Sequence, residues 1–144
     1  MSGGTLTLRA ASFGCDPNYR RTRTAGCYRY EVISAGSVVM EVLFPGEAHE
    51  MRSMYHMDGP DLIMTHYCSS NTQPHMRLSK TASSADRLVF DFDGGTNFNP
   101  AREMHVHNGE IRFLADGRLE ASWTMWADGK PAGANHFFAL SREK

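Results

Sequence analysis

The sequence predicts an all-β protein, an antiparallel up-and-down β-barrel of about 8–10 strands with at most one short helix. Three observations lead there. From residue 24 onward apolar and polar residues alternate with a period of two, the spacing of strands that bury one face. Turn-forming stretches such as "SAG", "PGEA", "DGP", "SSNT", "DGGTNFNP" and "ADGKPAG" interrupt this pattern at short, regular intervals. Helical periodicity is scarce. A meander of many short strands leaves unpaired backbone at its edges unless it closes or folds over itself, which favours a barrel.

Strands are read at 26–34, 37–44, 50–57, 61–68, 73–80, 86–93, 104–114, 118–126 and 134–141. The first two, "GCYRYEVIS" and "SVVMEVLF", flank the "SAG" turn. In the third, the charge on Arg52 turns Met51, Ser53, Tyr55 and Met57 inward and His56 outward. The fourth, "DLIMTHYC", groups Leu62, Met64, His66 and Cys68 on one face and Ile63, Thr65 and Tyr67 on the other. "QPHMRLSK" follows the "SSNT" turn. The cleanest alternation is in "DRLVFDFD", where Leu88, Phe90 and Phe92 oppose Asp91 and Asp93. The strand at 104–114 carries "HVH". Further on, Leu119, Ala121, Trp123 and Met125 share a face, with Trp126 opposite, beside the "ADGK" turn. "ANHFFALS" is the last strand. A short helix is expected around "NPAREMHV", with Asn99 as N-cap and Pro100 at the first helical position. Residues 1–23 are an N-terminal segment, a tail or an extra strand: "TLTLRA" fits a strand, while "SFGCDPNYRRTR" has no period and reads as a loop. Residues 24–144 form the barrel domain.

Composition narrows the function. A chain of 144 residues is one domain, long enough to bury roughly two thirds of the surface its unfolded form exposes. With Lys+Arg 15 against Asp+Glu 16 and a net charge of −1, it lacks the basic excess of a nucleic-acid binder. The one basic cluster, Arg20 to Arg23, reads as a solvated segment. Three cysteines, Cys15, Cys27 and Cys68, allow at most one internal bridge and show no metal-type spacing, so a reduced, cytoplasmic setting is expected. No secretory signal and no membrane-spanning run is read.

Several side chains invite chemistry. His66 sits among Leu62, Met64 and Cys68, where an unpaired imidazole costs on the order of 1–3 kcal/mol. An internal hydrogen bond to Tyr55, Ser53 or a backbone carbonyl satisfies it, or else a ligand at the cavity floor, or a metal or haem. His105 and His107 lie two apart on a strand, a spacing that chelates zinc or iron, but a third ligand must come from His66, His75 or His136. Cys68 as a nucleophile would need His66 as its base; as a small apolar filler it needs nothing. Trp123 reads as core, or as a stacking surface at the barrel mouth. Among nine methionines, Met40, Met51, Met57, Met64 and Met125 fall on faces read as inward, suiting either a pliable cavity wall or a loose core. Glu50, Asp91 and Asp93 read as wet surface, and no catalytic residue is assigned.

The stretch "LFPGEAHEMRSMYHMDGPDLIMTHYCSSNTQPHMRL", residues 43 to 78, resembles a family of small bacterial domains of unknown function. Its members carry LFPG, HEM, a Tyr-His-x-Asp-Gly turn, a Thr-His-Tyr strand and a Gln-Pro-x-Met segment. The likeness runs more loosely through "LVFDF", "NFNPAREMHVH" and "ASWTMWADGK". It implies a calycin-like barrel, shaped like lipocalins, fatty-acid-binding proteins and haem-binding nitrobindins. The matched positions that face inward on this pattern are Tyr55, His66, Met76 and His105. Relatives open with a Gly-x-Trp strand that is missing here, so an unpaired barrel edge and a homodimer covering it are expected.

The expected function is binding of a small, mainly apolar molecule inside the barrel, by Tyr55, His66, Met51, Met64, Met76, His105 and Trp123. No cofactor, nucleic-acid or membrane partner is expected. Two alternatives stand beside it: a metal-dependent enzyme built on His105 and His107 with a third imidazole such as His66, and a solidly packed dimeric interaction module without a ligand.

Overall fold

The computed structural model describes residues 11–15 and 27–142. The strands are β1 (Ala11–Cys15), β2 (Tyr28–Ile33), β3 (Val38–Leu43), β4 (Met51–Asp58), β5 (Asp61–Tyr67), β6 (Gln73–Leu78), β7 (Arg87–Thr96), β8 (His105–Phe113), β9 (Leu119–Ala127), β10 (Lys130–Pro131) and β11 (His136–Arg142). Consecutive strands pair antiparallel from β1 through β9, β11 pairs with β9, and β1 pairs with β11. The result is a closed antiparallel barrel of 10 strands, with the two-residue β10 folded back on the end of β9. Among the described residues no helix is long and apolar enough to cross a membrane.

Two local expectations are corrected. The stretch "ASFGC", read as the start of a loop, is strand β1: Phe13 lies opposite Tyr28 on one side and Arg142 on the other. The unpaired edge that motivated a dimer is therefore filled from within the chain. The expected helix near Asn99 is a single turn. Asn99 Oδ1 accepts from the Ala101 amide, and the Glu103 carboxylate reaches back to the Asn99 amide, the reciprocal pattern of a capping box. The chain then enters β8 without propagating a helix. The basic cluster Arg20 to Arg23, the "TLTLRA" strand and the boundary at residues 23/24 lie outside the described residues.

The barrel interior is apolar and aromatic. Phe13, Tyr28, Tyr30, Phe90, Leu119 and Leu140 are buried in one continuous core. Gly109 on β8 is required by close packing: a Cβ there would collide with the Trp123 ring and sit 2.5 Å from the Ser122 carbonyl oxygen. Two methionines read as inward point elsewhere. Met40 is on the face opposite Glu41 and lies under the Arg52 guanidinium, and Met57 is 57% exposed at the end of β4.

Candidate functional site

Because the strands alternate in direction, the β3–β4, β5–β6 and β9–β11 connections gather at one end of the barrel. At that end lies a cavity of about 370 Å³. Its walls are mainly Leu43, Phe44, Met51, Met64, Trp123 and Phe138, with Val106 and Met125 completing the apolar surface. The polar side chains on it are Ser53, His66, Cys68, Ser69, His49 and His136.

Phe44, from "LFPG", reaches the cavity because its backbone is left-handed, with φ of 54°, a conformation that bulky residues rarely adopt. Its amide donates to the Cys27 carbonyl at 2.7 Å and its carbonyl accepts from Glu47 at 3.1 Å, which hold the turn. The ring packs edge-on against Phe138 at 5.7 Å and against His49 at 4.7 Å. Deeper in, Trp123 Nε1 donates to the Tyr28 hydroxyl at 3.4 Å.

Behind His66 a polar row crosses four strands. Tyr30 on β2, Glu41 on β3, Ser53 on β4 and His66 on β5 are directly opposed in the register. Tyr30 donates to Glu41 Oε2 at 2.6 Å, and Tyr55 donates to the same oxygen at 3.1 Å. Glu41 Oε1 makes no hydrogen bond among the described residues. Ser53 Oγ also lies 2.9 Å from His66 Nδ1. Burial pushes the Glu41 carboxyl up to about 6, held down in part by the neighbouring Tyr30, Ser53 and Tyr55 hydroxyls. Burial raises Tyr30 and Tyr55 well above the ordinary phenol range, which keeps them protonated as donors. His66 is 5% exposed, and burial drives its imidazole down to about 4, so it is neutral at physiological pH. Its Nε2 has no hydrogen-bond partner among the described residues.

Of the residues expected to bind a ligand, His66, Met51, Met64 and Trp123 line the cavity. Tyr55, Met76 and His105 do not. Tyr55 and Met76 stand in one cross-strand row with Met64 and are fixed in the core, Tyr55 by its bond to Glu41 and Met76 by complete burial. His105 is fully buried in a separate cluster near the same end: its Nδ1 bonds the Glu103 carbonyl at 2.8 Å and its Nε2 bonds His107 Nδ1 at 2.9 Å. Since a carbonyl only accepts, His105 donates from Nδ1, and its Nε2 shares a hydrogen bond with His107 Nδ1. The two imidazoles thus satisfy each other rather than presenting lone pairs to a shared metal. His107 is further held flat between Phe92 at 4.3 Å and Trp126 at 3.9 Å. Burial and the neighbouring His105 bring it down to about 4. Among the described residues no three His, Cys, Asp or Glu side chains are grouped to hold a metal ion.

Sequence reasoning missed Glu41, Phe44, His49 and Phe138, and had His136 only as a candidate metal ligand. A glutamate inside "VVMEVL" was the available signal for the first. Cys27 is disulfide-bonded, in contrast to the reduced thiols expected from the sequence, while Cys68 is free, its Sγ 3.8 Å from Met51 Sδ on the cavity wall. Compared with known proteins, the chain matches no family model, no curated protein and no solved structure.

Proposed function

We propose that this barrel binds a small, mainly apolar molecule in the cavity at its Phe44 end, with His66 as the polar contact that orients it. The observation that carries the reading is a mainly apolar space whose wall includes a buried histidine, one nitrogen of which has no partner among the described residues. A barrel packed solid has no use for such an atom, and leaving it unsatisfied costs about 1–3 kcal/mol. A ligand in the cavity contributes about 25 cal/mol for each Å² of apolar surface it buries. The volume of about 370 Å³ is at the lower end of small-molecule sites and suits a compound of one or two rings or a short aliphatic chain. Thioethers from Met51, Met64 and Met125 give the wall a pliable, polarizable surface.

Native mass spectrometry of freshly purified protein, followed by fluorescence titration with naphthalene, tests this. Saturable one-to-one uptake is expected, lost in Val106→Trp, which fills the cavity, while circular dichroism stays that of the parent. No uptake, or uptake indifferent to the filled cavity, would overturn the reading.

A further inference from the structure

We infer that the ligand is an uncharged aromatic compound that lies against the Trp123 indole, and that the thioethers of Met51, Met64 and Met125 make the cavity prefer a ring to saturated carbon of the same shape. The inference rests on the cavity reading above and adds the chemical class. It follows from what the wall is made of. Among the described residues only Leu43 and Val106 give it branched aliphatic surface, and the rest of its apolar lining consists of thioethers and aromatic rings. Sulfur is polarizable and makes favourable contacts with the edge of an aromatic ring at about 5 Å, which a saturated ring does not offer. The sulfur of Met51 lies 3.8 Å from Cys68 Sγ, and both residues line the cavity. Rings that meet rings offset or edge-on gain further, beyond the area they bury.

Trp123 is held ready for such a contact. Its six-membered ring takes the place that a side chain at Gly109 would fill, so the indole lies against β8. Its Nε1 is already engaged by the Tyr28 hydroxyl, which leaves carbon surface for the ligand. Both restraints fix the ring in advance and lower the ordering cost of binding. The charge of the ligand follows from the same wall. Among the described residues no Asp, Glu, Lys or Arg lines the cavity, so a carboxylate or ammonium group would lose its water without gaining a fixed counter-charge. A neutral ring meets no such cost.

The test is a set of compounds on one fused two-ring skeleton, titrated at pH 7.5: naphthalene by its own fluorescence, and decalin, 2-naphthoate and 2-naphthylmethylammonium by displacement of bound naphthalene. Decalin carries more hydrogen and buries more apolar surface, so burial alone would favour it. Naphthalene is nevertheless expected to bind about 10-fold tighter than decalin, and about 10-fold or more tighter than either ion. With Met51, Met64 and Met125 all replaced by Leu, a volume-conserving change, the two hydrocarbons should come within about 3-fold of each other. Met125→Leu alone keeps the question open to measurement if the triple variant folds poorly, and it should cut the preference by about 2-fold. Equal or tighter binding of decalin by the parent protein, or tightest binding of either ion, overturns the ligand class while leaving the cavity reading intact. A preference undiminished in the leucine variants overturns the role of the thioethers. Failure of both hydrocarbons to bind overturns the inference and the cavity reading together.

Discussion

Ser53 Oγ stands 2.9 Å from His66 Nδ1, and the two residues are directly opposed on neighbouring strands. Both residues line the cavity and Ser53 stands opposite Glu41 on its other side, so the contact ties the cavity wall to the buried polar row.

Replacing Ser53 by Ala leaves the buried His66 Nδ1 without its partner. Chemical denaturation should show a loss of about 1–3 kcal/mol at unchanged m-value. Adding His66→Phe removes the orphaned imidazole as well, so the double variant should be more stable than the sum of the singles predicts. Strict additivity would mean that the pair is not coupled.

The two buried titrating groups oppose each other in acid. The folded-state value of His66 lies near 4, below its ordinary 6.5, so folding is favoured above 6.5 and the advantage disappears as pH falls toward 4, on the order of 3 kcal/mol in all. Glu41 is displaced the other way, to about 6, so its protonation in the folded state adds stability as pH falls from 6 toward 4.5. The parent protein should lose stability between pH 6.5 and 4, His66→Gln should lose less, and Glu41→Gln should lose more between pH 6 and 4.5. Denaturation midpoints across that range check the order of the three curves.

Gly109→Ala tests packing where no left-handed backbone is involved. The new methyl meets the Trp123 ring and the Ser122 carbonyl, neither of which is a flexible side-chain end. Overpacking of this kind costs about 1–3 kcal/mol, and near-ultraviolet circular dichroism from Trp123 should change with it. A neutral effect would show that β8 and β9 have slack at this point.

Cys68 reports on the cavity from its wall. An apolar ligand in place beside Met51 and His66 should slow labelling of this thiol by a maleimide, in proportion to occupancy. Labelling at the same rate with and without saturating ligand would place the ligand elsewhere.

Much of the barrel was legible because its strands obey a two-residue period: "DRLVFDFD" and "LIMTHYC" each declare a face, and β4 through β9 lie within a few residues of their expected positions. His66 was visible as a lone imidazole on an apolar face, and Ser53 as one of its possible partners. Glu41 was not, because "SVVMEVLF" is apolar on both faces and the pattern gives no reason to turn Met40 out and Glu41 in. Strand β1 was illegible for another reason: "ASFGC" is short and holds a glycine, and its place is set by the backbones of β2 and β11 on either side. Tyr55 and His105 were correctly seen as buried, but alternation reveals the face of a residue and not its depth or its hydrogen-bond partner.

The pairing of Phe13 with Arg142 fastens the beginning of the sheet to its end and makes one seam whose two sides are almost the whole chain apart in sequence. Joining such remote segments carries the largest loop-closure entropy in the molecule, so folding should be slow and the seam among the last joints to form. Until it forms, a half-rolled sheet offers raw edges to other copies of itself, and molecules at this stage are the ones most exposed to aggregation. Once it has closed, the wall is a continuous hoop of backbone bonds, and a guest can pass only through the rim.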